Sequence, residues 1–457
     1  MFVKSADITN YKLFKDTFSI GFNIPDGVTK GSGITILCGE NGNGKSSVLE
    51  AVSMALQDYR SENFSIENIT DLTKDTDIKV YTTDFPVTTV LPDGHKFDAN
   101  GFYFKANKRK RTVGDLYGSL IVSGRKLLSD NNVKDYELKC EGFTPWGAAR
   151  YEQPSLVFLD RNRIYQTRKG SASSTNFDYL LERLCLDPQT VQDENPEYVL
   201  PDTHPLKRAF IDFERVFSIP LKLYKTNPEK QMENAFIASA TDNNIIKLSN
   251  LGSGYEMFFS ILWAIYRSVD EKKTLTILLD EPELHLHPDM QKHLINLLIF
   301  FSDKVQIIIA THSPLFIKQL YGIKPKFHIL EKEEGVPAKK DIKERKIEGF
   351  LSLNEVNFMA FGLYTEEYFN ELYETLYRMA GSADENIKLS NFDGKFFVDQ
   401  KGLIADKPYK ANDNAKKVSY ITFIRNVIHH RVDYENAGLV YTEEDLKRAI
   451  DTMRSYL

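Results

Sequence analysis

The run Gly39-Glu40-Asn41-Gly42-Asn43-Gly44-Lys45-Ser46 constrains this chain more than any other stretch. It fills G-x-x-x-x-G-K-[ST] between an apolar segment, Gly31 to Cys38, and a helical pattern beginning near Ser46. The spacing predicts strand, loop and helix in that order. Glycines let such a loop fold back so that its N–H groups face phosphates, and the helix N-terminus adds partial positive charge. In this pattern Lys45 reaches the β- and γ-phosphates and the Ser46 hydroxyl can ligate Mg²⁺.

With 457 residues the chain holds roughly three domains' worth of length. Its net charge of −6 excludes a protein whose whole surface tracks a phosphate backbone, so nucleic-acid contacts are expected to be local. Cys38, Cys140 and Cys185 are far apart and lack C-x-x-C spacing. Neither a disulfide framework nor a zinc site is expected, and a reducing cytoplasm fits best. The N-terminus carries charges where a signal peptide would be apolar. The greasiest segment, Leu294 to Phe301, is interrupted by Asn296 and too short to span a bilayer, so no membrane association is expected.

Residues from about 79 to 140 alternate apolar and polar positions, with Pro92-Asp93-Gly94 as a turn, and predict an antiparallel β subdomain. Residues 155–160 predict a strand, 178–186 a helix, 249–268 a helix opened by glycine, 274–280 a buried strand, 289–301 a helix and 305–310 a second buried strand. Strands alternating with helices argue for an α/β fold with a mixed or parallel sheet. The charged stretch around Glu331 to Arg345 predicts a linker or surface loop, placed at 326–349. It divides a first domain at 1–325, which holds the phosphate-loop motif, from a mainly helical region at 350–457.

Leu275 to Leu279 ends in Asp280 and Glu281. In this arrangement the first carboxylate holds a magnesium shell and the second polarises a water, which makes Glu281 the candidate general base. Paired with the phosphate loop, this says NTP hydrolysis. After the next helix and strand comes Ala310-Thr311-His312-Ser313-Pro314, with His312 just past a strand's C-terminal end, where it could sense a γ-phosphate.

These segments together resemble the ABC-type ATPases of the SMC, RecF and OLD group. They supply a phosphate loop of form G-x-N-G-x-G-K-S, a DEPE-x-x-L-H-P stretch and an ATHSP switch. The opening phrase Asn10-Tyr11-Lys12 with Phe14 is similar to one such proteins often carry. The resemblance covers roughly residues 1 to 325 and implies an ABC-type P-loop ATPase head binding ATP and Mg²⁺ through Gly39, Asn41, Gly42, Asn43, Gly44, Lys45, Ser46 and Ser47. Ser46 and Asp280 would then be the metal ligands.

In that family a signature of form L-S-x-G-x-[QE] lies upstream, and Leu251-Gly252-Ser253-Gly254-Tyr255-Glu256 aligns with it. Gly252 replaces the family's serine, so either Ser253 or backbone amides near Gly254 would meet a partner's nucleotide. The resemblance implies sites shared between subunits, and hence a homo-oligomer built from dimers. It also implies a glutamine-bearing loop, with Gln153 and Gln166 as candidates and Gln166 preferred because it follows the strand PSLVFLD.

Lys105, Lys108, Arg109, Lys110 and Arg111 form one basic cluster, and Arg161, Arg163, Arg168 and Lys169 another. Both are candidate DNA or RNA contacts, though a solvated charged turn is the commoner explanation, for the first cluster above all. In the tail, Arg425 and His430 lie in YITFIRNVIHH, which resembles the R-x4-H motif of HEPN-type ribonucleases; such residues at a helix end also suit a helix dipole. Residues after 325 carry no HNH signature and no Toprim pattern. The phrases SLNEVNFMAFGLYTEEYFNELYETLYRM and YITFIRNVIHH resemble the ATPases of prokaryotic antiviral systems of the Septu and PARIS kind. That resemblance implies a multimeric sensor or scaffold whose effector is a separately encoded nuclease, HNH-type above all. Chromosome repair of the RecF or SMC kind is disfavoured by the missing coiled-coil arm and the acidic charge.

Overall fold

The computed structural model describes residues 2–56, 75–83, 88–90, 96–98, 101–107, 121–128, 155–159, 200–225, 235–241, 244–270, 273–284, 286–323, 325–333, 335–339, 352–411 and 413–457. It falls into two compact units, Met1–Lys339 and Lys340–Leu457.

The first unit opens with strands β1 (Val3–Thr9), β2 (Phe18–Gly21) and β3 (Ile34–Cys38), then helix α1 (Lys45–Leu56). Next come β4 (Thr76–Thr82), β5 (Thr88–Val90), β6 (Lys96–Asp98), β7 (Gly101–Asn107), β8 (Ile121–Leu128) and β9 (Ser155–Leu159). Helix α2 (Pro205–Phe217) precedes β10 (Lys222–Lys225), β11 (Ala235–Thr241) and β12 (Asn244–Lys247). The run α3 (Leu248–Leu251), α4 (Ser253–Asp270), β13 (Leu275–Asp280), α5 (Pro288–Phe301), β14 (Gln306–Ala310), α6 (Pro314–Tyr321), β15 (Lys326–Glu333) and β16 (Val336–Lys339) completes it.

Two sheets enclose α1. One is antiparallel, in the order β2-β1-β4-β7-β8; the other has six strands in the order β16-β15-β3-β14-β13-β9. Within the second, β15, β3, β14, β13 and β9 run parallel. The central strands β3, β13 and β14 are buried at every position, as a sheet covered on both faces requires. Val48, Leu49, Val52 and Leu56 of α1 pack with Ile8 and Ile78 of the antiparallel sheet and Leu278 and Ile308 of the parallel one. Apolar residues surround α1 on all sides for that reason. Each such fully buried side chain contributes about 1.5–3 kcal/mol. Of the region from 79 to 140 expected to form an antiparallel β subdomain, the described strands β4, β7 and β8 join β1 and β2 in this sheet, with β4 beginning at Thr76, and residues 129–140 lie outside the described residues.

Residues 326–339 are not a linker. β15 pairs in parallel with β3, from Lys326 opposite Thr35 to Ile329 opposite Cys38, and β16 folds back on it as an antiparallel edge. The charged residues that suggested a loop, Glu331, Lys332 and Glu333, occupy the outer end of the strand, while Ile329 and Leu330 are buried. Charged side chains are a common way to protect a sheet edge.

The second unit holds α7 (Leu353–Phe361), α8 (Glu366–Ala383), a π-helix (Asp393–Gln400), the hairpin β17 (Lys407–Lys410) with β18 (Asp413–Val418), α9 (Tyr420–His429), α10 (Arg431–Asn436) and α11 (Glu443–Tyr456). Ser352, Thr365, Ser419 and Thr442 each cap the helix that follows them, Thr442 in a reciprocal box with Asp445. Its core joins Phe369, Tyr373, Phe392, Phe397, Ile421, Ile424 and Ile450. No helix among the described residues is long and apolar enough to cross a membrane.

Candidate functional site at the ends of four parallel strands

Register places the chemistry. Asp280 lies opposite Ala310, Ala310 opposite Leu37, and Cys38 opposite Ile329, so β13, β14 and β3 end together while β15 runs on beside them to Glu333. The loops that leave β3, β13 and β14 carry the phosphate-loop motif, Glu281 and His312, and Leu330 lies beside them on β15, in the crevice where open α/β sheets bind ligands.

The phosphate loop is fitted closely to β15. Gly39 has φ +137°, and a Cβ there would stand 2.2 Å from the Leu330 carbonyl oxygen. The Asn43 side-chain amide donates to that same carbonyl at 2.8 Å. Gly44, at φ +88°, lies against the Phe14 ring, which explains the aromatic in the opening phrase. Tyr11 and Phe14 are buried, and the Tyr11 hydroxyl donates to Glu50 on α1 at 3.1 Å. The Lys45 ammonium reaches back across the loop to the carbonyls of Gly39 and Glu40, each at 2.8 Å. Burial pushes its pKa down, against the pull of Glu281, Cys38, Asp280 and Glu283.

Ser46, at the start of α1, donates its hydroxyl to Asp280 Oδ1 at 2.9 Å. A hydroxyl and a carboxylate meeting at the foot of a phosphate loop are the donor set that Mg²⁺ takes alongside phosphate oxygens, so these residues fit that ion. Glu281 follows with φ +47°, unusual for a residue bearing a side chain, and its N–H donates to the Ala310 carbonyl at 2.8 Å. His312 Nδ1 stands 3.2 Å from Glu281 Oε1 and 3.8 Å from Glu283 Oε1. The structure thus brings Lys45, Ser46, Asp280, Glu281 and His312 to one place.

The signature segment breaks a helix. Gly252 has φ +126° and ψ 151°, separating α3 from α4, where the sequence predicts one helix. Ser253 starts α4 and is exposed; Gly254 is buried, and a Cβ there would meet Leu286 at 2.7 Å and Met290 at 3.0 Å. The exposed Gly252 and Ser253 lie at the start of an 18-residue helix.

Family models for an AAA domain and an AAA ATPase domain match residues 6–181 and 186–317. They take in both halves of the site just described. The chain carries an AAA-type ATPase domain. This ATPase is similar to the Septu protein PtuA of Bacillus mycoides, with 23% identity over 409 residues, 84% of this chain and 48% of that protein. It is also similar to the OLD nuclease of Thermus scotoductus, with 25% identity over 167 residues, 36% of this chain and 31% of that one. The ATPase therefore spans half or less of the length of these relatives. Solved SMC heads also match: one bound to the C-winged helix domain of ScpA, at 15% identity and TM-score 0.42, covers 74% of this chain and 97% of its own. The SMC head of Thermotoga maritima has TM-score 0.36 at 15% identity, covering 74% and 98%.

Gln153, Gln166, the basic residues 108–111 and the cluster at 161–169 lie outside the described residues of the ATPase. Arg425 sits 5.3 Å from the Tyr373 ring centroid and donates to Asn426 Oδ1 at 3.4 Å, while His429 and His430 are exposed at the end of α9. Sequence reasoning missed Glu283, which is buried beside His312, and Leu330, whose carbonyl anchors Asn43. For Glu283 the available signal was a second carboxylate two residues after Glu281 with an ATHSP turn to receive it.

Proposed function

We propose that the chain is an ATP-binding, slowly hydrolysing sensor or scaffold subunit of an antiviral defence complex. It acts as a homo-oligomer built from dimers and controls a separately encoded nuclease. The observation that carries this reading is the similarity to the Septu protein over 409 residues, a span too long for the first unit alone to contain. The helical second unit is then the partner-binding or oligomerisation region.

In this reading the N–H groups of Gly39 to Ser47 receive the ATP phosphates and Lys45 turns from its carbonyls to the β/γ-bridge. Ser46 and Asp280 would hold Mg²⁺, which supplies neutralisation of the developing phosphate charge. Glu281 accepts a proton from the attacking water as that oxygen bonds to the γ-phosphorus and the bond to ADP breaks. His312 orients Glu281 and meets the γ-phosphate. Ser253 and the amides of α4 close on a second subunit's nucleotide, so loss of the γ-phosphate loosens the dimer.

Light scattering and a nuclease assay on the purified chain, with and without ATP and Mg²⁺, test the reading. A multimer with slow ATPase activity and no cleavage of DNA or RNA supports a scaffold. RNA cleavage by the chain alone, lost in Arg425→Ala, would replace it with an ATPase-gated ribonuclease.

A further inference from the structure

The turn bearing Glu281 carries a second glutamate that hydrolysis as described leaves unused. Glu283 is 7% exposed. Its Oε1 accepts from the Thr311 hydroxyl at 2.5 Å and from the His312 N–H at 3.3 Å. Thr311 Oγ1 in turn accepts from the Ser313 N–H at 3.0 Å. Glu283 Oε2 is buried with no hydrogen-bond partner among the described residues. A carboxylate placed this way carries a desolvation cost that its two hydrogen bonds to the Thr311–His312 segment offset.

What Glu283 holds is the turn that presents His312. Its bonds tie the loop leaving β13 to the loop leaving β14, and the Glu281 N–H to Ala310 carbonyl bond ties them a second time. Between these two ties the His312 ring is set 3.2 Å from Glu281 Oε1. Glu281 has a side chain 14% exposed against 6% for Glu283, so Glu281 is the carboxylate that can meet a water.

We propose that Glu283 is a positioning residue for ATP hydrolysis: it clamps the Thr311–Ser313 turn so that His312 stays on Glu281, and it takes no proton from the water itself. The proposal rests on Glu281 as the general base. Its test compares kcat, KM and ATP binding of Glu283→Ala, Glu283→Gln and Thr311→Val with those of Glu281→Gln.

Glu283→Ala lowers kcat about 30- to 100-fold with KM and ATP affinity within about threefold of the parent, because only the geometry of the reacting groups is lost. Glu283→Gln keeps an acceptor for Thr311 and His312 and returns kcat to within about fivefold. Thr311→Val lowers kcat, and adding it to Glu283→Ala costs little more, since both cut one link. Parental kcat in Glu283→Ala overturns the clamp and leaves Glu281 as base. Glu283→Gln without activity while Glu281→Gln retains it overturns both assignments. Should Glu283→Ala fail to fold, parental kcat in Thr311→Val overturns the clamp by itself.

Discussion

Ser46 and Asp280 stand 234 residues apart in the chain and 2.9 Å apart in the fold, hydroxyl to carboxylate. One opens α1 beneath the phosphate loop and the other ends β13, so the pair joins the two halves of the nucleotide site. In the proposed reading each alone would be a weak Mg²⁺ ligand, and together with phosphate oxygens they would make one site. Ser46→Ala and Asp280→Asn are each expected to raise the Mg²⁺ concentration needed for half-maximal ATPase activity at least about tenfold. Titration of activity against Mg²⁺ at fixed ATP checks this, and an unchanged requirement in both variants would remove them from the metal site.

Gly39 has no room for a side chain. A methyl group there meets the Leu330 carbonyl at 2.2 Å and a backbone at φ +137°. Gly39→Ala is expected to destabilise the protein by about 2–4 kcal/mol and to weaken ATP binding, since Asn43 loses its anchor on the displaced carbonyl. Urea unfolding with calorimetric ATP titration measures both effects.

Acid sensitivity has a local source in His328. Its ring donates to the Gly21 carbonyl at 2.6 Å, joining β15 to β2, and burial first, then Lys326 and Lys339, push its pKa down to about 4. The unfolded chain, with an ordinary value of 6.5, therefore binds the proton that the folded protein refuses. Stability from this group is present above pH 6.5 and lost as pH falls towards 4. His328→Gln can still donate to Gly21, and its unfolding midpoint should fall less steeply over that window in a urea series. An equal slope in both proteins would contradict the assignment.

Exposed Ser253 at the head of α4 stands next to Gly252, which replaces the family's serine. If Ser253 supplies the missing hydroxyl, Ser253→Ala weakens ATP-dependent self-association about tenfold, as expected for a charge-assisted hydrogen bond to phosphate. Analytical ultracentrifugation with ATP in a Glu281→Gln background reads this directly. Unchanged association would hand the contact to the backbone amides.

The phosphate loop, the Asp280-Glu281 pair and the buried strands β3, β13 and β14 were legible because each is a local pattern: glycines at fixed spacing, or an unbroken apolar run closed by carboxylates. β15 and β16 were not legible, because a strand with Glu331, Lys332 and Glu333 at its outer end has the composition of a loop. The break at Gly252 was likewise hidden, since glycine inside a helical pattern reads as a tolerated residue until its φ of +126° is known.

The sequence by itself determined that this chain handles a nucleotide, since strand, glycine loop, lysine and serine are contiguous and their conformation follows from local sterics and hydrogen bonding. Only the tertiary structure decided that Asp280, Glu281, Glu283, His312 and the Leu330 carbonyl meet that loop. Their meeting depends on the register of four parallel strands, and register is set by burial of Ile36, Leu278 and Ile308 across long sequence separations, which no local pattern encodes.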